Sequence, residues 1–263
     1  MTSHYVSIIG SGNVASHLAP ALDNAGFVIK EVYSRNARHA AALTEKLYQA
    51  EVKATLDFST SDSSIFVIAV VDDAIQEIAR EIILPDDAIL LHTSGSQPLN
   101  ILGFSATARL GVLYPLQTFT QGRKIDFSTV PVFIESSDDE TGALLGEMAR
   151  AVSKNVHHIG SNERKALHIA AVLASNFTNY MLALSEDVME VQKLDFKWLV
   201  PLITETISKS LALGPERAQT GPARRGDFRI LDQHMEFLKA EDESTAEIYR
   251  LISQHIVDRY DNS

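Results

Sequence analysis

Ile65 to Val71 reads IFVIAVV, an apolar run with no polar interruption. A strand with one wet face alternates apolar and polar residues. A run without alternation suits a strand buried on both faces, as in parallel sheets covered by helices. Ala88–Leu91 (AILL) has the same character, and further strand-like runs stand at His4–Ile9, Phe27–Tyr33, Arg109–Leu113, Val132–Glu135 and Val156–Ile159. Helical patterns separate several of them, at Asn13–Ala25, Arg35–Gln49, Asp73–Leu84 and Asp138–Ser153. This alternation predicts an α/β fold with a doubly wound, mainly parallel sheet.

After Gly160 no strand-like run follows. Helices are expected at Asn162–Gln192, Val200–Leu213, Asp227–Lys239 and Ser244–Tyr260, so the sheet is followed by an all-α C-terminal domain. The predicted domains are residues 1–160 and 161–263, without a low-complexity tether between them. Ala166–Ser185 lacks Asp, Glu, Lys and Arg and is long enough to span a bilayer. It holds His168, Ser175, Asn176, Thr178 and Asn179, which hydrocarbon would not solvate, so a buried helix is expected rather than a membrane span.

The 263 residues carry 34 acidic and 23 basic side chains, a formal charge of −11. Such a chain repels phosphate backbones, and its densest basic stretch, Arg35-Asn36-Ala37-Arg38-His39, is too small for a nucleic-acid footprint. A small anionic ligand is compatible with it. There is no cysteine, which excludes disulfides, thiolate metal sites and thiol nucleophiles, and no metal site is expected. The N-terminus lacks the pattern of a secretion signal, so a cytoplasmic location is expected.

Gly10-Ser11-Gly12-Asn13-Val14-Ala15 lies between an expected strand and an expected helix. The first glycine permits a tight turn, the second lets the backbone approach a pyrophosphate, and Ala15 lets the helix close on the sheet. Together with the flanking elements this reads as a Rossmann-type dinucleotide site. An NAD site places Asp or Glu at the end of the second strand, to accept from the ribose hydroxyls. Here that edge reads Ser34-Arg35, with Glu31 on the opposite face. A hydroxyl and a guanidinium suit a 2′-phosphate, with Arg38 as a second charge, so NADP(H) is the expected cofactor. The alternative is that Arg35 and Arg38 are a solvated first helical turn.

Val70 and Val71 end the long apolar strand and should pass beside the pyrophosphate and ribose. His92, Thr93 and Ser94 end the next strand, close to the expected nicotinamide, unless the segment is an ordinary turn. Asp73 is either a ligand residue or a helix cap. Stepped at about 100° per residue, Lys165, His168, Ser175, Asn176 and Asn179 share one stripe. The stripe reads as the wall of a wet cleft, or alternatively as a helix-packing hydrogen-bond network. Lys165 and His168 are the groups able to move a proton, with Asn176 the third catalytic candidate. Ser96, Asn179 and Arg225 are candidate substrate contacts. Arg225 stands in Thr220-Gly221-Pro222-Ala223-Arg224-Arg225-Gly226-Asp227, where either arginine could clamp a carboxylate or simply face solvent.

The combination of the glycine turn, His92–Ser96, Tyr114-Pro115-Leu116-Gln117-Thr118-Phe119, the His168–Asn176 helix and Thr220-Gly221-Pro222 with Arg225-Gly226-Asp227 resembles the Rossmann-like proteins that carry a C-terminal DUF2520 domain. That group is similar to the 6-phosphogluconate, 3-hydroxyisobutyrate and pyrroline-5-carboxylate oxidoreductases. The resemblance implies an NADP-dependent oxidoreductase that dimerises through its helical domain and acts on a small, anionic substrate at the cleft between domains. In the hydroxyacid branch a helix lysine acts as the acid, with asparagine three residues on. Lys165 matches the lysine, whereas His168 stands at the asparagine position. A different class of reading is a dimeric, non-catalytic NADP(H) sensor.

Overall fold

The computed structural model describes residues 4–260. Its strands are β1 (Tyr5–Ile9), β2 (Val28–Tyr33), β3 (Glu51–Lys53), β4 (Ile65–Ile68), β5 (Ile89–His92), β6 (Arg109–Pro115), β7 (Val132–Ser136) and β8 (Val156–His158). They form one sheet in the order β3-β2-β1-β4-β5-β6-β7-β8. Every neighbouring pair is parallel except β6–β7. The chain reverses direction across the sheet between β1 and β4, the crevice where open α/β sheets bind ligands.

The apolar runs are buried on both faces for the reason their composition gives. Val6, Ile8, Ile65, Val67, Ile89 and Leu91 point into one core, with α1 (Ala15–Asn24) and α4 (Asp139–Val152). Ile9, Phe66, Ile68 and Leu90, their odd-step neighbours, point into the other, under α3 (Asp72–Glu81). Helix α2 (Ala37–Thr44) is shorter than expected, because Asn36 caps it by accepting from the Arg38 amide.

The chain forms two compact units, residues 1–175 and 176–263. The first turns of α5 (Ser161–Ala171) belong to the sheet unit. The second unit holds α6 (Thr178–Val191), α7 (Val200–Leu213), α8 (Pro215–Ala218), α9 (Phe228–Glu241) and α10 (Glu243–Tyr260). Between α5 and α6 the helix is π-helical over Val172–Phe177.

Two expectations are corrected here. The helix from Ser161 to Val191 is apolar and long enough to cross a membrane by length and composition, but it is not the buried helix expected. Among its residues only Arg164 and Leu184 are buried, because no other element of the chain covers the rest. The single polar stripe fails too. A π segment turns less per residue than an α-helix, so Asn176 and Asn179 leave the α-helical phase set by Lys165 and His168.

Candidate active site

The glycine turn opens a cleft of about 420 Å³ at the β1/β4 crevice. Gly10 has φ +121°, and a Cβ there would overlap the Ala69 carbonyl at the end of β4, so only glycine fits. A Cβ at Gly12 would meet nothing within 4 Å, which leaves the backbone open to a ligand. The amides of Gly12, Asn13 and Val14 donate to no carbonyl among the described residues, and they stand at the N-terminal end of α1. Open backbone and free amides on a helix N-terminus fit a pyrophosphate.

Ser34 and Arg35 line the same cleft from the end of β2. Ser11 Oγ donates to Ser34 Oγ at 2.9 Å, tying the glycine turn to that edge. Glu31 points away. It accepts from Ser7 at 2.6 Å and from Ser61, and it pairs with Lys53 at 3.3 Å. Arg38 is exposed on α2 and does not line the cleft. Val70 and Val71 line its floor, while Glu77 and Glu81 bring two carboxylates to the α3 wall. A phosphate in this cleft is therefore drawn to the β2 side.

Further along the same edge, β5 and β6 carry a connected cluster. His92 is 0% exposed, so its ring lies inside the unit and props the loop rather than facing the cleft. Its Nδ1 accepts from the Ser94 amide at 3.1 Å, and its Nε2 has no partner among the described residues. Burial, then the Arg164 charge, push its pKa down to about 4 against weaker pulls from the Pro98 carbonyl and Asp72, so it is neutral at pH 7. Thr93 and Ser94 are buried beside it. Ser96 donates to the Asp72 carboxylate, and Ser94 Oγ accepts the amides of Ser96 and Gln97.

Three residues that the sequence reading gave no role hold this cluster together. Arg164 is 1% exposed. Its guanidinium donates to Glu135 on β7 and to the carbonyls of Ser94 and Gln97. Ser161 donates to the same carboxylate at 2.8 Å and accepts the Leu99 amide at 3.1 Å. Tyr114, at the end of β6, shares a 3.2 Å hydrogen bond with His168 Nδ1, and the two rings meet edge-on at 6.1 Å. Tyr114 appeared in the sequence only within a motif, and Arg164 was overshadowed by its neighbour Lys165. The one available signal was a second cation beside Lys165 in the helix's first turns.

The remaining candidates separate. Lys165 is exposed one residue after Arg164. Ser175 ends the sheet unit, whereas Asn176 and Asn179 belong to the helical unit, where both are exposed. Arg225 is also in that unit, exposed and 4.0 Å from Asp227. Its neighbour Arg224 stacks on the Tyr260 ring at 4.3 Å. Asp227 starts α9 without a side-chain capping bond.

Comparison with known proteins agrees with this architecture. Residues 2–116 match the Rossmann-like domain, and residues 130–256 match DUF2520, a domain of unknown function. No curated protein matches the sequence significantly. Among solved structures, a Bacteroides fragilis protein assigned as an NADP oxidoreductase is 36% identical, covering 97% of this chain and 98% of its own, with TM-score 0.89. A Thermotoga maritima protein shares the fold at 22% identity, 98% coverage of both chains and TM-score 0.70. So does the reductive aminase of Aspergillus terreus, solved with NADPH and ethyl-5-oxohexanoate, at 15% identity and TM-score 0.73, covering 98% of this chain and 95% of its own. With sheet order, glycine turn and helical unit all in agreement, the chain belongs to the family of Rossmann-like proteins with a C-terminal DUF2520 domain.

Proposed function

We propose that this chain is an NADP(H)-dependent oxidoreductase that moves hydride to or from a small carbonyl, imine or alcohol. The observation that carries the reading is the glycine-turn cleft with Ser34 and Arg35 at its β2 edge and no carboxylate on that side. It is supported by the 36% identical relative assigned as an NADP oxidoreductase. The amides of Gly12, Asn13 and Val14 hold the pyrophosphate, Ser34 and Arg35 the 2′-phosphate, with Arg38 nearby in solvent. Val70 and Val71 lie along the ribose, and Thr93 and Ser94 bound the nicotinamide end. When bound, the nicotinamide supplies the hydride chemistry. The chain supplies position and a proton at the substrate heteroatom, from Lys165 or His168 on α5. Ser96, Asn176, Asn179 and Arg225 remain candidate substrate or catalytic contacts, and Lys165 is the exposed cation on α5 to receive an anionic substrate.

A homodimer in the cytoplasm belongs to the same proposal. The helical unit leaves Trp198 67%, Leu202 63% and Leu211 82% exposed, an apolar surface larger than single chains usually keep in water. A second copy of this chain would cover it.

The test is a fluorescence titration with NADPH and NADH. NADPH is expected to bind tighter. Arg35→Ala should lower NADPH affinity about tenfold or more, the worth of a charge-assisted hydrogen bond at an exposed site, while leaving NADH affinity unchanged. Equal affinities for the two nucleotides in the unaltered protein reject the cofactor assignment.

A further inference from the structure

Resting on the oxidoreductase reading, we propose that the Tyr114 hydroxyl is the proton-transfer group of this site, with His168 the partner that recharges it through the Oη–Nδ1 hydrogen bond. Neither the composition nor the motif spacing assigns Tyr114 a part in the chemistry.

The placement comes from the sheet. The glycine turn follows β1, Val70 and Val71 follow β4, the His92–Ser96 loop follows β5, and Tyr114 ends β6, all at the carboxyl edge of adjacent parallel strands. Neighbouring strands are about 4.8 Å apart. A dinucleotide laid from Ser34 across the glycine turn therefore runs toward the β5/β6 edge, where the Tyr114–His168 pair stands.

The pair is built in rather than incidental. A Cβ on Gly95 would come within 2.6 Å of Tyr114 Cζ and 2.8 Å of both Tyr114 Oη and His168 Nδ1. The β5 loop thus passes directly over the hydroxyl with only a hydrogen at that position. The other polar groups of the cluster are committed elsewhere. His92 is interior, Ser96 donates to Asp72, and Arg164 is spent on Glu135 and two carbonyls. Lys165 is exposed, with no hydrogen bond or ion pair among the described residues. Burial, then the Asp72 carboxylate, raise the Tyr114 pKa against the opposing Arg164 charge, so the phenol keeps its proton at neutral pH.

In the reducing direction, the substrate carbon gains hydride from the reduced nicotinamide and the C=O or C=N π pair moves to the heteroatom. The Tyr114 O–H bond breaks as the heteroatom–hydrogen bond forms. The phenolate then takes the proton from His168 Nδ1–H, and the imidazole regains one from solvent. Oxidation runs the same steps backward. Donation from Nδ1–H to Oη leaves the phenol proton free to point at the substrate, which is the arrangement general-acid catalysis needs.

The test uses the full chain, with Tyr114→Phe and His168→Gln beside the unaltered protein. NADPH affinity by fluorescence titration should stay within twofold in both variants, which also shows that they fold. In protein labelled with ¹³Cζ-tyrosine, the resonance absent from Tyr114→Phe should move on His168→Gln, without any substrate present. NADPH oxidation is then followed with cyclohexanone, pyruvate and 1-pyrroline as probes. Tyr114→Phe should slow turnover by about 10²–10⁴-fold, the range for loss of a general acid, and remove the solvent deuterium isotope effect. An unaltered enzyme that reduces none of the probes overturns the oxidoreductase reading, and the proposal falls with it. An active enzyme whose Tyr114→Phe variant is equally fast, or a Tyr114 resonance indifferent to His168→Gln, overturns the proposal alone.

Discussion

Replacing Arg164 by methionine keeps the length of the side chain and removes its charge. The guanidinium is 1% exposed, and it donates to the Glu135 carboxylate and to the Ser94 and Gln97 carbonyls. Breaking a buried ion pair from one side costs about 3–5 kcal/mol, because the remaining charge stays desolvated. Glu135 keeps the Ser161 hydroxyl and 17% of its surface, which lowers that figure. The orphaned Ser94 carbonyl, in a buried residue, adds about 1–3 kcal/mol. The expected loss is about 4 kcal/mol, read as a fall in the urea midpoint by far-ultraviolet circular dichroism with unchanged slope. The double variant Arg164→Met with Glu135→Leu removes the stranded carboxylate and should recover part of the loss. A cost under about 1 kcal/mol for Arg164→Met, or a double variant worse than the sum of the singles, would refute the clamp.

His92 makes stability depend on pH. Its pKa near 4 in the folded chain lies below its model value of 6.5, so the unfolded chain binds the proton that the folded chain refuses. The contribution is fully present above pH 6.5 and is lost as pH falls toward 4. It reaches about 3 kcal/mol from the size of the shift. His92→Asn should flatten that acid-side slope in urea titrations; an unchanged slope would contradict the assignment. For the homodimer, sedimentation equilibrium should give twice the 28.9 kDa chain mass at micromolar concentration. A single-chain mass there would rule it out.

The sheet was legible because its central strands carry their burial in their composition. Ile65–Val71 and Ala88–Leu91 need no tertiary information to be read as two-faced strands. β3 was missed for the converse reason: Glu51–Lys53 is a three-residue edge strand with little burial to write into its sequence. The cofactor end of the site was legible because each residue there acts through its own backbone or a local motif. The β5/β6 end was not. Tyr114 meets His168 across 54 positions, and Arg164 meets Ser94 across 70. No local period records such pairings. Treating residues 161–191 as a uniform α-helix then carried Asn176 and Asn179 into a stripe that the backbone does not make.

The π segment at Val172–Phe177 makes the phase between α5 and α6 depend on a single residue of chain length. Deleting one residue there would let the i→i−4 ladder run through. Every side chain from Thr178 onward would then turn by about 100° relative to His168. The apolar side chains of α6 would face a new direction while Arg164, His168 and Tyr114 kept theirs. One codon's length thus acts as a dial on this helix, able to separate what its first turns do from what its later turns do without altering either set of residues.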